Sequence, residues 1–458
     1  MSNHLRNPEL FAAIRGYCLE VFELWRRLYT DENSIPRRAV PRARFEGTSI
    51  SFQQEIHLDP TRLTSDIRID DQRQVASRAA VETAMRSDER VARHLDTLVG
   101  TSGGSGRVTV ATCLTRALIE LLEGKDTLLF DEDRFRQIYG AMEDYFYSDT
   151  ITISLLAPLT TFEMQADRII LGDYLSLRKL SPSEREQLTL QELQFPGVGM
   201  LSPFLGQEES GVELIIDVPK VFGERTQPAD PATIPMTIAT AEFQEVLLAL
   251  RVFKGGNVDY SITKQIPLGW GLGGAMSSYA YKLPLLGSAY VLSSEEVPRF
   301  TTFWEEYRQA RRRNRPRIDL ALRRLNFGYE RTRPEDKLID YMIGLEALLT
   351  RKGGEGSDLA YRLALRGARL LGSDATHRAH IHAELRRAYR LRSDIVHGSE
   401  IEVGQSVMIE QGTIAFGDFI ERIAQHLREA IKRFMNRTAV ARELEVIKAL
   451  DHEAITAN

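Results

Sequence analysis

Two cysteines in 458 residues, Cys18 and Cys113, are too few for a disulfide framework or a cysteine-rich zinc site. Their scarcity fits a reducing, cytoplasmic compartment. Long apolar runs are also missing. Charge interrupts each one within about ten residues, against the roughly 20 that a spanning helix needs. Met1 to Tyr29 mixes arginine, glutamate and apolar residues, which predicts an amphipathic helix and not a signal peptide. No phosphate loop is recognisable. Gly103-Gly104 with Gly106, and the group from Gly269 to Gly274, lack the Lys-Ser/Thr pair, and Gly124-Lys-Asp-Thr127 lacks the earlier glycine. All three read as turns. His377, His380 and His382 are the densest histidine group, yet positions 380 and 382 point to different sides of a helix with no acidic or cysteine set beside them. Neither a metal nor another cofactor is expected.

The chain is long enough for two or three domains, and 43% hydrophobic with 27% charged residues supplies material for sizeable cores. The net charge of −5 is unevenly distributed. Positions 301–400 hold 21 Lys+Arg against 14 Asp+Glu, a local +7 that leaves −12 for the rest. A basic module joined to an acidic one suits a polyanionic partner, and solvated arginine on helix faces is the competing reading.

Apolar spacing of three and four predicts helices near 8–29, 74–97, 106–122 and 131–147. The stretch between the first two is less regular, with Pro36 and Pro41 among basic residues, and Thr101–Gly106 reads as a flexible break. Strand patterns follow at 150–156, 169–177, 213–218, 245–253, 260–266 and 279–283. From about Ser294 the pattern is helical again, at 296–330, 335–351, 358–372, 378–397 and 416–450, with Pro316 marking a kink or boundary. The expected organisation is a mostly helical 1–147, a β-rich 148–294 and a helical bundle over 295–458, an α+β chain with an all-α C-terminal part.

Three blocks in the last third stand out: Asp340-Tyr-Met-Ile-Gly-Leu-Glu-Ala-Leu-Leu349, Leu359-Ala-Tyr-Arg-Leu-Ala-Leu-Arg366 and Tyr389-Arg-Leu-Arg-Ser-Asp-Ile-Val-His-Gly398. In that order they resemble Apea-like HEPN domains, with the match covering roughly 300–434. The segment from Ala157 to Glu184 is similar, more loosely, to regions that precede such domains. The resemblance implies a helical bundle that forms a homodimer and joins two Arg-x4-His motifs at one cleft. It further implies metal-independent RNA cleavage, tRNA being one candidate substrate, and a role in anti-phage defence or as a toxin, with a phage-derived trigger acting on the N-terminal region. Some members of the family have lost catalysis, so a HEPN dimer that only binds RNA or nucleotide is the alternative.

The residue types fit that chemistry. RNA carries its own nucleophile, the 2′-hydroxyl, so cleavage needs a base, an acid and positive charge for the phosphorane. Histidine titrates near neutrality and can serve as acid or base. Arginine offers a planar donor fork to phosphate oxygens. Arg392 and His397 are therefore the expected catalytic pair. Five residues apart in a straight helix they lie about 140° apart, but Gly398 signals a helix end that would place His397 at the cap. Alone, such a pair reads as structural; within three ordered blocks it reads as a site. Ile395 and Val396 are expected to anchor the helix in the core. Glu346, in an otherwise apolar helix, is expected to orient Arg362, Arg366 or Arg392. Tyr389 lines the cleft or packs, and Asp394 is a solvated residue near the site. The run Arg311, Arg312, Arg313 and Arg315 is expected to steer RNA, with Phe303 and Trp304 in the core.

Overall fold

The computed structural model describes residues 5–456, apart from 47–48, 67–74, 102–103, 195–208, 224–232, 261, 272–275, 280–287, 314, 352–357, 399–405 and 410–411. In chain order the first half holds α1 (Pro8–Leu28), β1 (Arg37–Glu46), β2 (Ser49–Leu58), α2 (Pro60–Asp66), α3 (Ser77–Ser87) and α4 (Glu89–Ala92). These are followed by β3 (Leu98–Thr101), β4 (Gly104–Arg107), α5 (Val110–Leu122), α6 (Glu132–Tyr147), β5 (Thr150–Pro158), β6 (Phe162–Met164) and β7 (Arg168–Ile170). Next come β8 (Leu175–Lys179), α7 (Pro182–Gln194), β9 (Ser210–Pro219), β10 (Val221–Gly223), α8 (Thr233–Phe253), β11 (Ile262–Pro267), β12 (Met276–Tyr279) and β13 (Tyr290–Leu292). The last third has α9 (Val297–Arg311), α10 (Pro316–Glu330), α11 (Pro334–Leu349), α12 (Leu359–Leu371), α13 (Ala375–Val396), β14 (Ser406–Ile409), β15 (Gly412–Ala415), α14 (Phe416–Arg437) and α15 (Glu443–Thr456). The protein is mixed α and β, and no described helix is long and apolar enough to cross a membrane.

Several sequence expectations change here, each for a local reason. The irregular stretch with Pro41 is a β-hairpin, β1 with β2. Pro41 is tolerated because its missing N–H lies on the side of β1 facing away from β2. The glycine-rich segment belongs to a second hairpin, β3 with β4, which ends the helix expected over 74–97 early and delays the next one to Val110. The expected strand 245–253 is the end of helix α8. An apolar run buried all round carries no period, and its leucine and alanine content favours a helix. The expected strand 169–177 divides at Gly172 into β7 and β8, and the expected strand 279–283 lies mostly outside the described residues. Helix 296–330 breaks before Pro316, which takes the first-turn position of α10 where its missing N–H costs nothing. Helix 416–450 likewise divides into α14 and α15. The C-terminal part is not all-α, since the β14–β15 hairpin precedes α14.

The chain forms two compact units, each discontinuous in sequence. The first comprises Met1–Pro158, Gly172–Glu242 and Tyr260–Lys282. Within it β12-β11-β5-β9-β8 are successive antiparallel neighbours of one sheet, and β10-β3-β4 form another. Helix α1 starts where the Asn7 side chain accepts the Leu10 N–H, and it buries a stripe from Leu10 through Ile14, Cys18 and Phe22 to Trp25.

The second unit comprises Leu159–Leu171, Phe243–Asp259 and Leu283–Asn458. Segments 159–171 and 243–259, which the sequence reading placed in the β-rich region, thus pack with the C-terminal helices. Helices α10 and α11 cross so closely that a Cβ on Gly328 would meet the Tyr341 ring at 2.0 Å. α14 is the central helix and buries Phe419, Ile423, Leu427, Ile431 and Phe434. Segment 243–259 is held by two enclosed arginines. Arg251 donates to the Val258 carbonyl at 2.8 Å and pairs with Asp259 at 3.3 Å. Arg428 donates to the Arg251 carbonyl at 3.0 Å, to the Tyr329 hydroxyl at 2.8 Å and to Glu421 at 2.9 Å.

Removing one partner of a buried charged network costs about 3–5 kcal/mol. Arg251→Ala is expected to lower stability by that amount, read by urea unfolding followed by circular dichroism. A change below about 0.5 kcal/mol, the range of ordinary surface substitutions, would show that the network does not hold the segment.

Candidate functional site

Helix α13 begins where the Asp374 side chain accepts the His377 N–H at 2.9 Å. It then buries Ile381, Glu384, Leu385, Ala388 and Leu391 along one stripe. Arg392 follows at the edge of that stripe and is half-buried. The helix closes at His397, the C-cap, whose N–H donates to the Ser393 carbonyl at 3.0 Å. Gly398 has φ +91°, a left-handed conformation that glycine adopts most readily. The expected cap position of His397 is therefore what the helix end provides. Its imidazole is exposed and makes no hydrogen bond among the described residues.

Glu346 projects from α11 and is half-buried. One of its carboxylate oxygens, and Nε of Arg392, are shut off from solvent with no hydrogen-bond partner among the described residues. Burial raises the Glu346 carboxyl above its usual range, and the positive charge of Arg392 opposes the rise. Of the three arginines expected beside Glu346, Arg392 is thus the one whose charge it senses.

The other candidates separate. Arg362 is exposed on α12. Arg366 is enclosed, with Nε donating to Asp451 at 2.6 Å and Nη1 to the Leu349 carbonyl at 2.7 Å, so its guanidinium is committed elsewhere. Tyr389 is half-buried and Asp394 exposed. Val396, expected as an anchor, is 55% exposed, because the helix is already leaving the core in its last turn. Ile395 is half-buried.

The arginine run does not form one surface. Arg311 pairs with Glu245 at 2.8 Å and also with Asp319. Arg315 is buried and donates to the Thr438 hydroxyl and to the Thr438 and Met435 carbonyls. Arg312 and Arg313 are exposed, and Arg313 reaches the Ala439 carbonyl at 2.8 Å. Phe303 and Trp304 are buried as expected.

One cluster escaped the sequence reading. Glu384, two turns before Arg392 on α13, accepts from His426 Nε2 at 2.7 Å and from Arg422 Nη1 at 2.9 Å. Burial alone would raise the Glu384 carboxyl, but the His426 hydrogen bond and the Arg422 charge outweigh it and hold the group below its usual range. The signal available was Arg422 and His426 four apart on one face of α14. Nothing in the sequence pairs that face with Glu384. Comparison with family models, curated proteins and solved structures finds no match.

The state of Glu346 can be tested through stability. A carboxyl raised in the folded state stabilises the protein below the ordinary carboxylate pKa, and that contribution is lost as pH rises through the raised value. Glu346→Gln should therefore stabilise the fold near pH 7.5, with the gain shrinking as pH falls toward 4. Urea midpoints measured at both pH values decide it, and a pH-independent difference would contradict the burial argument.

Proposed function

We propose that the protein is a metal-independent endoribonuclease of the HEPN type, with His397 as general acid or base and Arg392 as the phosphate-binding cation. The carrying observation is the end of α13: an exposed imidazole at the helix cap, five residues after an arginine whose Nε has no partner among the described residues. The three sequence blocks from Asp340 to Gly398 support the same reading through their resemblance to Apea-like HEPN domains. Glu346 would act as a positioning residue, setting the guanidinium of Arg392 from the opposite helix. Two copies of the site, one per chain of a homodimer, would supply separate acid and base.

In this scheme the neutral imidazole of one His397 takes the 2′-hydroxyl proton as that oxygen attacks phosphorus. The imidazolium of the second returns a proton to the departing 5′-oxygen. The products are a 2′,3′-cyclic phosphate and a 5′-hydroxyl, and no water or metal is consumed. Arg392 offsets the charge that builds on the non-bridging oxygens, where a planar donor fork is worth more than a point charge. A nuclease of this kind is harmful to its own cell, so we assign it to the cytoplasm under restraint. An infection-derived trigger, acting on the part of the chain outside the helical blocks, would release it.

The test uses full-length protein with total tRNA and a generic single-stranded RNA in excess EDTA. Wild type should yield 2′,3′-cyclic phosphate ends, and His397→Ala and Arg392→Ala should each lose about 10²–10⁴-fold in rate with unchanged thermal unfolding. Retained cleavage in both variants removes the mechanism. RNA binding without cleavage by wild type would assign the chain to the non-catalytic class of HEPN dimers. Toxicity on expression that His397→Ala relieves would argue for a trigger-dependent enzyme.

A further inference from the structure

The β1–β2 ribbon of the first unit leaves apolar surface and backbone groups open that a second strand pair would cover. Its register runs from Arg37↔Leu58 to Glu46↔Ser49, and no other described strand joins it. A two-stranded ribbon alone is marginal, and three or more strands with an apolar face are the usual requirement. Alternation places Ala39, Pro41, Ala43 and Phe45 on one face, opposite Ile56, Gln54, Phe52 and Ile50. On that face Phe52 is 49% and Ile56 62% exposed.

The two edges of the ribbon are unlike. In an antiparallel pair alternate residues turn their N–H and C=O away from the partner strand. The Ala43 N–H donates to the Glu186 carboxylate at 2.9 Å and the Leu58 N–H to the Lys125 carbonyl at 2.8 Å, both outside the ribbon. That parity turns the backbone groups of Ile50, Phe52, Gln54 and Ile56 outward along β2. The β1 edge is protected, since Pro41 has no N–H to offer and Glu186 covers Ala43. The β2 edge has no proline, and its four outward N–H groups find no partner among the described residues.

We propose that this edge pairs antiparallel with the same edge of a second copy of the chain, with Gln53 on the two-fold axis. The sequence Ile50-Ser-Phe-Gln-Gln-Glu-Ile56 is nearly symmetric about Gln53, which favours a second copy over an unrelated extended segment. In this register Ile50 lies opposite Ile56 of the second copy and Phe52 opposite Gln54. All four pairs join outward-facing residues, so each exchanges two backbone bonds, about eight in total. The two Phe52 rings become diagonal neighbours, within aromatic reach. Glu55 faces Ser51, so no like charges oppose each other. Pairing ends at Ile56, because the Lys125 carbonyl already holds the Leu58 N–H. The result is a four-stranded sheet with a continuous apolar face. The contact is independent of the helical blocks and of the proposed nuclease dimer.

Residues at a non-hydrogen-bonded position on the axis sit with Cα atoms about 4.5 Å apart, within disulfide range. Gln53→Cys in the full-length chain should therefore cross-link to a covalent dimer under mild oxidation, since native Cys18 and Cys113 are buried. Arg44→Cys, exposed on β1, serves as the collision control and should cross-link at least tenfold more slowly. Gln54→Pro removes an outward N–H without touching the β1 ladder, and should cut the Gln53→Cys rate at least tenfold. Gln54→Lys, which keeps that N–H but sets two cations diagonally across the axis, should act in the same direction. Cross-linking no faster than Arg44→Cys, or unchanged by both Gln54 substitutions, overturns the proposal.

Discussion

Two guanidinium groups with no access to water set the terms for the helical unit. Arg251 and Arg428 lie on either side of the Tyr329 ring, 4.6 and 5.8 Å from its centroid, and both are essentially unexposed. A buried charge is tolerated only when its donors are met. Here the Val258 and Arg251 carbonyls, Asn326, Asp259, Glu421 and the Tyr329 hydroxyl meet them. Those partners come from segment 243–259 and from α10 and α14. The bundle is consequently not a contiguous C-terminal block. A cut at residue 295 would strip Arg251 and Asp259 from a network that α14 needs complete.

The first unit has a smaller counterpart. Lys220 is buried and donates to the Tyr145 carbonyl, and to the Ser148 carbonyl at 2.7 Å, at the C-terminal end of α6. Burial and the nearby Arg93 charge lower its ammonium to about 8. His94 beside it is pushed down to about 4, first by burial and then by Lys220, so it is neutral at physiological pH. A neutral ring that donates through Nδ1 to the Arg90 carbonyl at 2.8 Å presents Nε2 as an acceptor toward Lys220, 3.4 Å away. The lysine closes a helix end that would otherwise bury open carbonyls.

The same economy explains the basic excess of positions 301–400. Arg317 donates to the Ala347 and Thr350 carbonyls, and Arg366 to that of Leu349, all at the end of α11. Arg315 serves the end of α14. Outside that window Arg433 does the same for α12, at the Leu370 carbonyl. Helix C-termini carry unpaired carbonyls and partial negative charge, and arginine answers both. Much of the local +7 is internal cross-linking and not a surface offered to a polyanion. Arg312, Arg313, Arg362 and Arg390 are what remains exposed of it near the blocks discussed here.

The sequence by itself determined the helices of the last third and the point where α13 stops. Apolar spacing in α11 to α14 specifies which faces are buried, and Gly398 after His397 specifies a cap because only glycine enters the left-handed region at little cost. It also determined that Glu346 would sit among apolar neighbours. What only tertiary structure decided is which charges meet. Arg366 and Arg392 are both plausible partners of Glu346 in the sequence, and the fold commits the first to Asp451 and leaves the second beside the carboxylate. The helix over 245–253 and the joining of 159–171 and 243–259 to the C-terminal helices were decided the same way. Periodicity is a property of one segment and its own burial. Pairing between segments far apart in the chain depends on which faces come together, and no local pattern encodes that.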